Sequence, residues 1–128
     1  MPGFFLALAR RLTFTVVKEG AEWQNVRMMK TTNVATIEFI WHDEKALRNQ
    51  DKHGISFELA ARVFLDPHRI EAQDSRRDYG EARWVTVGAV SGVTLCVIYT
   101  VRNGDMIRLI SARYANAKER QRYGQAQP

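Results

Sequence analysis

The spacing of hydrophobic positions changes from segment to segment along this chain, and each change marks an element. Apolar and aromatic residues crowd Ile37-Glu-Phe-Ile-Trp41, which predicts a strand. Asp43 then stands as an N-cap with Glu44 in the first turn, where negative charge suits the helix dipole. Lys52 and His53 follow in a last turn, and Gly54 supplies the stop, so a helix runs from Asp43 to about His53. Ser56 caps a second helix, whose Phe57, Ala60, Ala61 and Phe64 recur at helical spacing until the turn signal Asp66-Pro67. From there the pattern is that of strands. Arg69–Ala72 is a weak one, followed by the polar loop Gln73–Ala82; Trp84–Val90 alternates, with Val85, Val87 and Ala89 on one side. Ser91-Gly92 marks a turn, Val93–Val101 is apolar almost throughout and predicts a central strand, and Asn103-Gly104 is a hairpin signal before a returning strand, Met106–Ser111. Asn116 with Glu119 three residues on reads as a capping box that opens a last helix.

The order β-α-α-β-β-β-β-α predicts an α+β domain: two N-terminal helices, an antiparallel meander sheet and a C-terminal helix, without internal repeats. Residues 1–36 carry neither clean periodicity nor turn signals. Met28-Met29 stands shortly before the first convincing strand, so this segment reads as an N-terminal extension of uncertain structure, with the domain proper at 37–128.

Composition narrows the class. At 128 residues, 45% hydrophobic and 26% charged, the chain suits one soluble domain. No apolar run reaches the roughly 20 residues of a membrane span, and Phe4–Ala9, with no basic residue before it, is not a secretory signal. A single Cys96 inside an apolar strand fits a core position in a reducing cytosol, so a cytoplasmic location is expected. The net charge of +5 is unevenly spread: residues 37–82 hold seven Lys/Arg against ten Asp/Glu, residues 83–128 seven against two. A basic C-terminal half suits a polyanion such as RNA.

Arg108 sits inside the strand Met106–Ser111, where packing alone rarely places a long cation; Arg113 follows at its exit, and a basic helix bears Tyr123. Guanidinium forks bind phosphate in bidentate fashion, so this stretch reads as a phosphate site. With Ile107 and Leu109 facing the core, Arg108 points across the open sheet face, free for phosphate or paired with a carboxylate such as Glu81. Arg113 has the opposite parity in a regular strand, and the two share a site only if the strand bends or ends near Ser111. The three histidines and one cysteine lack metal-ligand spacing, and no Gly-rich loop precedes a helix; neither metal nor cofactor is expected.

Phe39-Ile-Trp41-His-Asp43, Lys45, Asn49, Lys52-His53-Gly54, Phe57, Ala60, Phe64 and Asp66-Pro67 resemble the BrnT toxins. So do Asp74-Ser-Arg76, Tyr79-Gly-Glu81-Ala-Arg83-Trp84, Tyr99-Thr-Val-Arg102, Ile107-Arg108-Leu-Ile-Ser111-Ala-Arg113, Glu119-Arg120 and Tyr123. The resemblance spans roughly residues 37–124; His42 stands where the family more often has an acidic residue. It implies a type II toxin with a RelE-like fold that cleaves RNA without a metal. It implies a ribbon-helix-helix antitoxin resembling BrnA, and a complex that represses its own promoter DNA and can hold a toxin dimer.

Metal-free cleavage uses the substrate's own 2′-hydroxyl, so the protein must move protons and stabilise a dianionic phosphorane. His53, Arg83, Arg108, Arg113 and Tyr123 are the catalytic candidates; Lys52, Trp84, Arg102 and Glu119 are the candidates for RNA contact. Each also has a plain structural alternative: His53 as a helix-terminal charge, Trp84 as core, Tyr123 as packing between helix and sheet. The rival function is a non-catalytic basic module that only holds its antitoxin.

Overall fold

The structure, a computed structural model, describes residues 9–19, 22–25, 34–102 and 106–127, with side chains from Ile37 onward. The elements are β1 (Ala9–Glu19), β2 (Glu22–Asn25), β3 (Val34–His42), α1 (Asp43–His53), α2 (Phe57–Arg62) with a 3-10 turn at Val63–Leu65, β4 (Ile70–Asp74), β5 (Arg83–Val90), β6 (Val93–Arg102), β7 (Met106–Tyr114) and α3 (Ala117–Gln125). The predicted α+β order is present from β3 onward, and β1 and β2 lie in the segment 1–36 for which no element is predicted. Asp43 is the first helical residue and His42 takes the cap position with no side-chain hydrogen bond. The Met28-Met29 pair and the hairpin turn read at Asn103-Gly104 lie outside the described residues.

The sheet has seven strands in the order β2-β1-β3-β7-β6-β5-β4. Strands β4 to β7 are the antiparallel meander. β3 adds to β7 in parallel over Glu38–Ile40, which makes the sheet mixed, and β1 and β2 extend it beyond β3. A parallel partner follows from the topology: α1 and α2 carry the chain across one sheet face before it returns, as a crossover requires.

That face is the core. Phe39 and Trp41 of β3, Leu95, Val97 and Tyr99 of β6, and Leu109 and Ala112 of β7 pack with Ile55, Phe57, Ala60, Ala61, Val63 and Phe64. Phe64 sits edge-on to both Phe39 and Tyr99, the ring arrangement that aromatic quadrupoles favour. The opposite face carries a smaller cluster, Val87, Cys96 and Ala115, with Ile70, Val85 and Tyr123 of α3 against it.

β7 is irregular, and its irregularity sets the polarity of the sheet. Ile98 pairs with Ser111 and Tyr99 with Leu109, so Ile110 is an extra residue, a β-bulge. Beyond Arg108, β7 has no β3 residue beside it. Its edge is taken over by Asn49 of α1: Nδ2 donates to Ala112 O (2.8 Å) and Ile55 O (2.9 Å), and Ala112 N donates to Oδ1 (3.0 Å). The buried amide thus stands in for a strand. Gly54, at φ 73°, then reverses the chain in a left-handed conformation that costs glycine little.

α3 is tied down at both ends. Asn116 and Glu119 form the predicted capping box. The Glu119 carboxylate also takes both terminal nitrogens of Arg113, at 2.8 and 2.9 Å. Tyr123 donates to Asp66 Oδ2 (2.5 Å), and the same carboxylate accepts from Ala89 N (2.8 Å) and His68 N (2.9 Å). Gly88 allows this approach, since a Cβ there would lie 2.9 Å from Val63 Cγ1 and 3.2 Å from Asp66 Oδ2. Burial would raise the Asp66 pKa, but the hydrogen bonds from Ala89, Tyr123 and His68 outweigh it and hold the value low.

Two outcomes are expected. Asn49→Ala strands two buried backbone carbonyls and one N–H, so it should lower the unfolding free energy by about 2–4 kcal/mol in urea titrations; a loss under roughly 0.5 kcal/mol would remove the amide from its structural role. The hydrogen bonds from Arg113 hold Glu119 at about 2, below its ordinary 4.5. A depressed carboxylate contributes stability that is present above the ordinary value and lost as pH falls through the folded one. Wild type should therefore lose stability more steeply than Glu119→Gln between pH 4.5 and about 2; parallel curves would refute the pairing.

Candidate active site

Alternation places Ile107 and Leu109 on the core face and Arg108 on the other. Past the extra Ile110 the phase shifts by one residue, so Ala112 faces the core and Arg113 the opposite side. Two arginines of opposite parity in a regular strand therefore share a face. About 13 Å of strand separates them, so they stand at opposite ends of one surface.

Arg108 lies in a lateral row. Ile40 of β3 is beside it on one side and Thr100 of β6 on the other. Arg83 follows one residue before Trp84, which faces Tyr99, and Asp74 of β4 closes the row opposite Arg83. Thr100 is buried and its Oγ1 donates to Ala82 O (2.6 Å), which fastens the loop before β5 to this end of the sheet.

Cations outnumber carboxylates here. Glu81 accepts from Arg83 Nε (3.4 Å) and, through its other oxygen, from a terminal nitrogen of Arg102 (3.2 Å). No described carboxylate pairs with Arg108, so the alternative in which Glu81 neutralises it is not what the structure contains. Lys45, in the first turn of α1, is the further member: burial chiefly, then the fields of Arg108 and Arg83, push its pKa below the usual lysine range, against an opposing pull from Glu81. An ammonium partly desolvated among guanidiniums is unfavourable unless an anion joins it.

A second device holds Arg83. Its guanidinium lies 4.2 Å from the centre of the Tyr79 ring. The Tyr79 hydroxyl donates to Asp74 (3.0 Å), and Asp74 also takes Nε and a terminal nitrogen of Arg76, both at 2.9 Å. Those bonds, that to the Arg76 side chain first, keep the nearly inaccessible Asp74 charged and well below the usual carboxylate range.

The remaining candidates fall elsewhere. His53 and exposed Lys52 end α1, so His53 is about 12 Å along the helix from Lys45 and apart from Arg108. Trp84 packs against the core cluster. Tyr123 packs α3 on the sheet, and burial, with the hydrogen bond to Asp66, pushes its hydroxyl up to about 12. Glu119 is engaged with Arg113 and the helix cap. Arg102 is exposed beside Glu81. The cluster thus joins Arg83, Arg102 and Arg108 to three residues outside the candidate set: Lys45, Tyr79 and Glu81. Their only sequence signal was membership of the BrnT-like motifs, since neither charge nor spacing set them apart. Cys96, buried in β6 with its thiol raised to about 12 by burial, is no nucleophile. Among the described residues no group of His, Cys, Asp and Glu could hold a metal ion, and no helix is long and apolar enough to cross a membrane.

Among solved structures, the crystal structure of the Brucella abortus ribonuclease toxin BrnT is similar, with 24% identity, 59% of this chain and 92% of that chain covered, and a TM-score of 0.46. No curated protein matches the chain. The family model described as "Ribonuclease toxin, BrnT, of type II toxin-antitoxin system" matches residues 41–119. That stretch runs from the end of β3 through both N-terminal helices and the whole meander to the capping box of α3. The chain belongs to the BrnT family of ribonuclease toxins of type II toxin–antitoxin systems.

Proposed function

We propose that this toxin is a metal-independent endoribonuclease that cuts single-stranded RNA at the Arg108 cluster and so halts translation and growth. The observation that carries the reading is Arg108 itself, a strand arginine with no described carboxylate partner, whose field and that of Arg83 act on a partly buried Lys45. In the reaction the ribose 2′-hydroxyl attacks its own 3′-phosphorus, and the bond to the 5′-oxygen breaks. Arg108 and Arg83 hold the non-bridging oxygens and neutralise the charge that builds on the phosphorane. Lys45, made more acidic by burial and its neighbours, gives its proton to the departing 5′-oxygen. Glu81 takes the proton of the 2′-hydroxyl, and water returns both groups to their starting states. Proton transfer thus goes to Lys45 and Glu81 in place of His53 and Tyr123.

The same reading places the toxin in the cytoplasm, where its RNA is, and pairs it with a ribbon-helix-helix antitoxin resembling BrnA. The antitoxin silences the toxin by covering the cationic face, and the complex represses its own promoter. What supports this is the family's description as a type II system together with an open, positively charged surface.

Purified protein incubated with a defined RNA in excess EDTA should leave 2′,3′-cyclic phosphate ends. Arg108→Ala should cut at least 100-fold more slowly with an unchanged melting temperature, and Lys45→Ala about 10- to 1,000-fold more slowly. Folded wild-type protein that leaves RNA intact with and without ribosomes would instead support a non-catalytic module that only holds the antitoxin.

A further inference from the structure

The face that carries Arg108 also holds a groove of about 380 Å³, open under α3 and lined from β4 to β7. Its floor is apolar: Ala72, Val85, Cys96 and Ile98. Its rim holds three arginines: exposed Arg122, and the guanidinium planes of Arg76 and Arg113, each gripped by a carboxylate through two nitrogens at 2.8 to 2.9 Å. The carboxylates are used up in doing so. Asp74 also accepts from Arg76 N and the Tyr79 hydroxyl, and Glu119 from Asn116 N. What the groove presents is therefore an apolar bed flanked by two planar cations already paired with carboxylates, with Arg122 on the α3 side. A planar heterocycle gains there both an apolar floor and flat guanidinium partners to stack on.

Position points the same way. Asp74, in the groove wall, faces Arg83 of the cation cluster across β4 and β5. Ile98 and Ser111 form the pair next to Thr100 and Arg108 on that face. The groove thus begins about 7 Å, or two strand residues, from the row that holds Arg108. That span matches the separation of a nucleotide's base from its own phosphate. We propose that the groove seats one unpaired nucleobase of the bound RNA, next to the phosphate held at Arg108 and Arg83. This inference rests on the reading of the cation cluster as a phosphate site. It makes the groove the part of the protein that fixes the register of the strand, with Arg113 and Glu119 as positioning residues for the base.

Binding to a short RNA that is 2′-O-methylated throughout keeps cleavage out of the test. An abasic residue is walked along this strand and each affinity is measured by fluorescence anisotropy. For the wild-type protein one position should stand out, its loss weakening binding roughly tenfold, the scale of stacking one base. Ala72 is exposed on the edge strand, so Ala72→Trp fills the groove from outside the core. That variant should bind the intact strand about tenfold more weakly and lose the penalty at that position. Ala72→Ser, which leaves the groove open, should behave as wild type. Arg108→Ala should weaken every strand alike and keep the penalty. A flat abasic walk, or an Ala72→Trp variant that keeps wild-type affinity and penalty, overturns the base site and leaves the phosphate site standing. A penalty that survives while Arg108→Ala changes nothing overturns the phosphate site alone, and absence of all binding overturns both.

Discussion

The site depends on one amide. β7 has β3 as its neighbour only as far as Arg108, and a strand edge buried beyond that point would leave Ala112 with an unpaired N–H and C=O. Each such group costs about 1–3 kcal/mol. Asn49 meets both, and its remaining donor holds Ile55 O, which fixes the segment that leads into α2. Because the side chain of a helix residue takes over the edge, β3 can end at His42 and turn at once into α1. The first turn of that helix carries Lys45 into the field of Arg108 and Arg83. A longer β3 would keep the sheet regular and would have no means of bringing a lysine there.

The bulge at Ile110 complements this clasp. One inserted residue shifts the phase of β7, so Arg113 joins Arg108 on the face that α1 and α2 leave uncovered. The two arginines then have different fates, and the difference is in their partners. Arg113 meets a carboxylate with two well-formed hydrogen bonds and serves to hold α3 in place. Arg108 has no described carboxylate partner, and its field, with that of Arg83, acts on Lys45. Like charges brought together at a protein surface repel one another. A fold keeps such an arrangement where an anion is to be bound, since the anion removes the repulsion and adds attraction.

The loop Ser75–Ala82 connects the balanced and the unbalanced parts of this surface. Asp74 holds Arg76 and Tyr79, Tyr79 lies against Arg83, and Glu81 is shared between Arg83 and Arg102. A polar loop of this composition has little apolar surface with which to fold on its own. Here it gains order from a nearly inaccessible carboxylate at one end and from the bond between Thr100 and Ala82 O at the other. The arginine that meets substrate in the proposed reaction is thereby oriented before substrate arrives, which lowers the entropic cost of binding.

Local pattern by itself determined the element order from β3 to α3, the cap at Ser56, the capping box at Asn116 and the central, apolar β6, because each is a short-range balance of caps, periodicity and burial. It also determined that Arg108 leaves the core face, since alternation needs only its two neighbours. The motif residues Lys45, Tyr79 and Glu81 could be named, but nothing local distinguished them from ordinary surface polar residues. Tertiary structure alone decided that β3 joins β7 in parallel, that Ile110 is an extra residue, and hence that Arg108 and Arg113 share a face. It alone decided that Lys45 belongs with the arginines while His53, eight residues further along the same helix, does not. The reason is the same in each case. Strand pairing, register and the neighbours of a charge are set by residues far apart in the chain, whose spacing no local period records.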